Sequence, residues 1–140
     1  MTDETLDHVR RMWDADGASR ALGIELLDVG VKDGLGYATA RMTVTDTQVN
    51  GHAIQHGGYI FTLADSTFAL ACNASGHTTV ASGAEINFIS SGRLGDVLVA
   101  TARERARYGR NGITDVTVTR ESDGQTVAEF RGRSRSLPPR

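Results

Sequence analysis

Between Gly57 and Ala74 the chain reads GGYIFTLADSTFALACNA, with no proline and a single charge, Asp65. A run this long and this apolar outlasts an ordinary strand and predicts a helix. A helix that is apolar nearly all round belongs at the centre of a domain or an oligomer. The rest of the chain must therefore wrap it. After Gly76, the segments TTVASGAEINFIS, DVLVATARERARYG, ITDVTVTRES and TVAEFRGRSRSL read as strands, with turn sequences at 92–96, 109–112 and 122–124. Before the helix, IELLDVGVKDGLGYATARMTV places β-branched and aromatic residues on both sides of Asp33-Gly34, a hairpin signature. At the N-terminus, Leu6, Val9 and Trp13 form one helical stripe, and Asp16-Gly17 is expected to end that helix within residues 1–20. The expected fold class is α+β: one long central helix followed by an antiparallel sheet of about five strands. A single domain over 1–140 is expected, with 137–140 as a flexible tail.

Composition narrows the partners. At 140 residues and 39% hydrophobic, the chain suffices for one core. A formal net charge of -2 supplies no basic field, so nucleic acid is not expected as a partner. The acidic start and the lack of an uninterrupted apolar run of roughly 18 residues predict a cytoplasmic protein with no membrane span. Cys72 stands alone, which excludes an internal disulfide and a cysteine-rich metal site, and it is read as a small buried side chain. His8, His52 and His77 lack metal-ligand spacing, and no H-E-x-x-H, Walker A or G-x-S-x-G pattern is present. Metal hydrolase, nucleotide triphosphatase and serine esterase readings therefore recede. Along ARERARY, Arg103, Arg105 and Arg107 alternate and are expected on one strand face. They are either solvated or, with Arg110, an attraction for a phosphate-bearing ligand.

The start of the central helix carries chemistry. The first N–H groups of a helix lack internal partners and sit at the positive end of its dipole. With His56-Gly57-Gly58 there, a ligand can approach the backbone closely, which suits an anion or an oxyanion developing on a carbonyl. A tight turn packed against the sheet would use the same glycines. Asp65, inside the apolar segment, has a carboxylate suited to act as general base or nucleophile, or to make a buried hydrogen bond. Gly57 and Asp65 are eight residues apart, roughly 12 Å of helix, whereas a reacting carbonyl must lie about 3 Å from both donor and attacking group. If both act on one carbonyl, a two-fold partner supplies the second group, so catalysis requires at least a dimer. His56 and Asn50 precede the helix and offer a proton, an orienting hydrogen bond, or a contact that holds the turn.

These residues resemble the hotdog-fold acyl-CoA thioesterases, specifically those of the phenylacetate-degradation type. The likeness rests on Asn50-Gly51, His56-Gly57-Gly58, Phe61 and Leu63-Ala64-Asp65, followed by VASGAEINFIS and FRGRSRS, and it spans about residues 20 to 136. The resemblance implies a long helix wrapped by a curved antiparallel sheet, paired into a dimer with a continuous sheet and assembled as a dimer of dimers. It implies an acyl-CoA substrate at the dimer interface and no cofactor. It assigns the Gly57 N–H to the thioester oxygen, with Gly58 beside it, and Asp65 of the opposite chain as the catalytic carboxylate. Asn50 and His56 become supporting polar contacts. The pantetheine arm is expected beside Ser82 and Gly83, and the CoA phosphates near Arg110 and Asn111. Relatives often carry Arg-Pro in the strand after the helix; here Phe88-Ile89 is followed by Ser90-Ser91-Gly92-Arg93, which removes that charge or displaces it to Arg93.

The leading expectation is hydrolysis of an acyl-CoA, with an aryl-acetyl group as the expected acyl. An acyl-thioester hydratase or dehydratase using His56 and Asp65 is the second reading, because one fold hosts several chemistries. A non-catalytic acyl-CoA binding module that uses the helix start only as an anion site is the third. Trp13, Tyr59, Phe61 and Phe68 are candidates for an aromatic acyl pocket or, equally, for the core.

Overall fold

The structure is a computed structural model that describes residues 3–138. In chain order its main elements are α1 (Asp3–Asp14), α2 (Gly17–Ala21), β1 (Glu25–Lys32), β2 (Leu35–Thr43), α3 (Gly57–Asn73), β3 (Thr79–Phe88), β4 (Val97–Tyr108), β5 (Asn111–Arg120) and β6 (Thr126–Ser136). The strands form one antiparallel sheet of six, in the order β1-β2-β4-β5-β6-β3. This is one strand more than the rounded expectation of five, and both ends of the order, β1 and β3, are edges.

Helix α3 touches all six strands and packs chiefly on β2, β4 and β5. The alternation in the strands explains this. Ala38, Ala40 and Met42 on β2, Leu98, Ala100 and Ala102 on β4, and Val116 and Val118 on β5 are all buried, while their neighbours are less so. From the helix, Leu63, Phe68 and Leu70 are wholly buried, each contributing about 1.5–3 kcal/mol of apolar burial. The small residues let helix and sheet approach closely. At Gly36 the approach is extreme, since a Cβ there would lie 1.8 Å from the Ala71 carbonyl oxygen. The β1–β2 turn is as the sequence predicts, with Asp33 and Gly34 both left-handed (φ 54 and 79), the requirement of a two-residue type I′ turn.

Two expectations are revised. Asp16-Gly17 does end the first helix, but Asp16 then caps a second one: its Oδ1 accepts the Ser19 N–H at 3.0 Å at the start of α2. The arginine stripe does not share one face, because β4 and β5 slip register between Glu104 and Ala106. This bulge turns the strand over. Arg103 and Arg105 stay exposed, whereas Arg107 faces inward and donates to Glu104 Oε2 at 2.9 Å and to the Cys72 carbonyl at 3.1 Å. The expected tail at 137–140 lies partly outside the described residues; Leu137 itself is tied to the sheet by its N–H to the Thr78 carbonyl at 2.8 Å.

Candidate active site

The approach to α3 is built by backbone hydrogen bonds. Asn50 Oδ1 accepts the N–H groups of His52 (2.9 Å) and Ile54 (3.2 Å), while the Asn50 N–H donates to the Ile54 carbonyl at 2.8 Å. This side chain therefore holds the turn, one of the roles open to it from sequence. The chain is then anchored by the Gln55 N–H to the Gly92 carbonyl (2.8 Å) and the His56 N–H to the Gln48 carbonyl (2.9 Å). His56 is the extended residue preceding the helix (φ -67, ψ 137); its exposed side chain makes no capping bond. Among the described residues the N–H groups of Gly57 and Gly58 have no acceptor. The helix thus begins with open donors at its positive end. Gly57 lies against the end of β3, where a Cβ would come within 2.7 Å of the Phe88 ring.

Asp65 lies two helical turns further on. It is half-buried, and no hydrogen bond to its carboxylate is found among the described residues. Burial pushes its carboxyl above the usual carboxylate range, and the charge of Asp16 pushes it further in the same direction. Along α3, Gly58, Phe61, Thr62, Asp65 and Ala69 are the residues not fully buried on one face, spaced i, i+3, i+4, i+7 and i+11. The chain leaves this stripe uncovered, and Asp65 is in its middle.

The other expected site residues lie elsewhere. Ser82 and Gly83 are on β3, where its register with β6 slips; Ser82 Oγ donates to the Arg133 carbonyl at 3.2 Å. Arg110 and Asn111 are at the β4–β5 turn, and Arg110 lines a cavity of about 840 Å³ with His77, Thr78, Arg107 and Ser136. That cavity is at the C-terminal end of α3, the end opposite Gly57. One chain therefore gathers Asn50, His56, Gly57 and Gly58, and holds Asp65 on the same helix. It does not bring Arg110 or Asn111 to them.

Of the aromatic candidates, Phe68 is core, with its ring 5.7 Å from that of Phe130; Phe61 is half-buried with its ring edge-on to Phe130 at 5.3 Å. Three further neighbours frame the site, of which the sequence reading named Phe88 and Arg93 only as parts of the strand after the helix and passed over Gln55. Phe88 covers Gly57, Arg93 pairs by its backbone with Ile54, and Gln55 Nε2 donates to Gln48 Oε1 at 2.9 Å in a buried pair beneath the turn. Phe88 shares the helix-facing phase of Ala84 and Ile86 on β3, which is why its ring meets Gly57. Cys72 is buried, and burial pushes its thiol up to about 12. Among the described residues no three His, Cys, Asp or Glu side chains cluster to hold a metal, and no helix is long and apolar enough to cross a membrane.

The helix start with its open donors and the half-buried carboxylate two turns on lie in a segment that matches a known family. The thioesterase superfamily profile covers residues 52–127, which include the His56-Gly57-Gly58 start, Asp65 and most of the sheet. The chain belongs to the thioesterase superfamily. It is 37% identical over 137 residues, 98% of this chain and 94% of the relative, to the acyl-coenzyme A thioesterase PaaI of Escherichia coli. Human acyl-coenzyme A thioesterase 13 is 29% identical, over 94% of this chain and 93% of its own. Among solved structures, the E. coli PaaI protein from the phenylacetic acid degradation operon superposes with a TM-score of 0.88 at 37% identity, covering 97% of this chain and 95% of that one. A Streptococcus mutans protein bound to acetyl CoA superposes with a TM-score of 0.75 at 29% identity, over 84% and 90% of the two chains. The architecture of this thioesterase is accordingly the hotdog fold, a central helix wrapped by an antiparallel sheet, as the resemblance implied.

Proposed function

We propose that the protein is a cytoplasmic acyl-CoA thioesterase that hydrolyses an aryl-acetyl CoA thioester, such as phenylacetyl-CoA or a hydroxylated form, to the free acid and CoA. The acyl class rests on the likeness to the E. coli protein of the phenylacetic acid degradation operon. The reaction rests on one observation: α3 starts with the open N–H of Gly57 and carries the unpartnered carboxylate of Asp65 on its uncovered stripe.

In this proposal the Gly57 N–H donates to the thioester carbonyl oxygen, and the charge that develops there meets the positive end of α3. Asp65 of a second copy either attacks the carbonyl carbon, giving an anhydride and CoA thiolate, or takes a proton from an attacking water. Helix rise keeps the two groups of one chain roughly 12 Å apart. The free edge of β3 supports a two-fold arrangement. Edge strands are usually protected by charge, as β1 is by Glu25, Asp28 and Lys32. The region of β3 has one exposed charge, Glu85, and exposes Val80 (45%), Phe88 (53%) and Ile89 (58%), where β1 exposes Leu27 (46%) among its charges. Antiparallel pairing of β3 with its copy about the strand centre sets Thr79 of one chain opposite Phe88 of the other. The helix start of one chain then neighbours the Arg110 cavity of its partner. In that arrangement the pantetheine arm passes Ser82 and Gly83, and the CoA phosphates meet Arg110 and Asn111. Asn50 and His56 support the turn that presents Gly57, and a dimer of dimers completes the assembly.

The hydratase reading would use His56 with Asp65 of a second copy, and it parts from hydrolysis by product, since a hydratase releases no thiol from a saturated acyl-CoA. A binding module that used only the helix start would give Asp65 no task. A thiol-release assay over a panel of acyl-CoAs tests the proposal. Asp65→Asn should lose at least about 100-fold in kcat with phenylacetyl-CoA while keeping the wild-type mass in solution. Undiminished turnover in that variant would end it, and a flat kcat/KM across acyl groups would end the aryl-acetyl assignment. Labelled water in a single turnover separates nucleophile from base, since attack by Asp65 leaves the label on its own carboxylate.

A further inference from the structure

The reaction proposed above gives no part to Asp16, yet a continuous polar chain ties this residue to the helical turn that carries Asp65. Asp16 occupies the junction of α1 and α2 and is half-buried. Its Oδ2 is 2.7 Å from Ser19 Oγ, and its Oδ1 accepts the Ser19 N–H at 3.0 Å. Ser19 is only 2% exposed, and its Oγ lies 2.8 Å from Ser66 Oγ on α3, itself 8% exposed. Because an ionised carboxylate only accepts, the order of donors is determined: Ser66 donates to Ser19, and Ser19 donates to Asp16. Ser66 is the residue next to Asp65. Elsewhere the N-terminal segment meets the core through apolar packing of Leu6, Val9, Met12 and Trp13, and through His8 Nε2, which is 3.1 Å from Asn73 Oδ1.

We propose that Asp16 is a positioning residue for Asp65: through Ser19 and Ser66 it fixes the α1–α2 junction against the catalytic turn of α3 and sets a second negative charge beside that carboxylate. The inference rests on the reading of Asp65 as the reacting group. Other charged or titratable groups near this helix are His56 and Tyr59 at its start, Arg20 on α2, and Asp7, Arg10, Arg11 and Asp14 on α1, with Cys72, His8 and the Glu104–Arg107 pair toward its C-terminal end. Of all of these, Asp16 is the one whose charge acts on Asp65, adding to the effect of burial. A like charge nearby makes the Asp65 carboxylate more basic, which favours it both as proton acceptor and as nucleophile.

Asp16→Asn tests this, because asparagine caps a helix as well as aspartate and removes the charge, its Nδ2 donating to the Ser19 Oγ from which Oδ2 accepted. Removing a neighbouring negative charge lowers the pH at which Asp65 ionises. The acid limb of the kcat/KM profile should therefore move to lower pH. Selective ¹³C labelling of aspartate carboxyls gives a readout free of catalysis, with the Asp65 resonance identified by its loss in Asp65→Asn. That resonance should titrate at lower pH in Asp16→Asn, and likewise in Asp16→Ser, which also preserves a cap. An acid limb and an Asp65 titration that both stay put in the two variants overturn the proposal. If instead Asp65→Asn keeps turnover, the catalytic reading of Asp65 is what fails, and the carboxyl titration still decides whether Asp16 acts on it.

Discussion

The two ends of α3 are built on opposite terms. At the C-terminal end the chain partners most of its own groups, Ser75 Oγ being left without one. The Cys72 carbonyl accepts from Arg107, and Asn73 Nδ2 donates to the Thr79 carbonyl at 3.0 Å while its Oδ1 accepts the Thr79 N–H at 2.9 Å. Glu104, with a side chain 1% exposed, is held between the Gly36 N–H (3.0 Å) and Arg107. At the N-terminal end the donors of Gly57 and Gly58 are open, the His56 side chain caps nothing, and Phe88 and Ile89 stand exposed beside them. A helix end with its partners in place locks the helix to the sheet. A helix end left open at the positive pole of the dipole is fitted to take an anionic or polarised group from outside.

Breaking the closed end should have the largest effect. Arg107→Ala leaves the Glu104 carboxylate buried without its cation and takes a donor from the Cys72 carbonyl, so a loss of about 3 kcal/mol or more in urea unfolding is expected. A loss near zero would mean that this end is no lock. At the open end, Gly57→Pro removes the N–H while remaining compatible with the first helical position, and the extended geometry of His56 already suits a following proline. Both Gly57→Pro and Gly57→Ala place a Cβ against Phe88, so their ratio isolates the donor. The proline variant should fall about 100-fold below the alanine variant in kcat at equal helix content by circular dichroism; equal rates would reassign the oxyanion donor.

A smaller effect concerns stability at Asp65. Its carboxyl is raised in the folded chain, so the ionised form is the disfavoured one there. The folded state therefore loses stability as pH rises from the unfolded-state value of about 4 through the raised folded value. Asp65→Asn should melt above the wild type at pH 7, and the gap should close below about pH 4, as thermal melts across that range would record. The smallest effect is expected on the outer face of the sheet. Arg131 holds the Asp115 carboxyl below its usual range, chiefly by a hydrogen bond at 2.6 Å. That contribution is present at neutral pH and is lost as pH falls through the lowered value. Because the pair is exposed to solvent, Arg131→Gln should shift Tm at pH 7 by no more than about 2 °C.

Much of the site was legible because its chemistry is carried by residue type. A carboxylate in an apolar helix and two glycines at its start are unusual in any packing, so Gly57 and Asp65 stand out without a structure. The β1–β2 hairpin was legible because Asp33-Gly34 suits a local geometry that needs little from the rest of the chain. Arg107 was misplaced because alternation predicts its face only if the strand is regular, and the bulge after Glu104 depends on the pairing with β5. Asp16 read as a helix end, but its tie to Ser66 spans a sequence separation of 47 between Ser19 and Ser66, which no local pattern encodes.

By itself, the sequence determined that a long apolar helix must be enclosed by strands, that its start offers open donors, and that a carboxylate interrupts its apolar surface. These follow from hydrophobic periodicity and from the hydrogen-bonding capacity of individual residues, which are properties of short segments. Only the tertiary structure decided that β3 pairs with β6 and leaves an apolar free edge, that Arg107 turns inward to close one end of α3, and that Asp16 reaches the turn of Asp65. Strand order, bulges and side-chain ties across the fold depend on which distant segments meet. That choice is made by the packing of the whole chain.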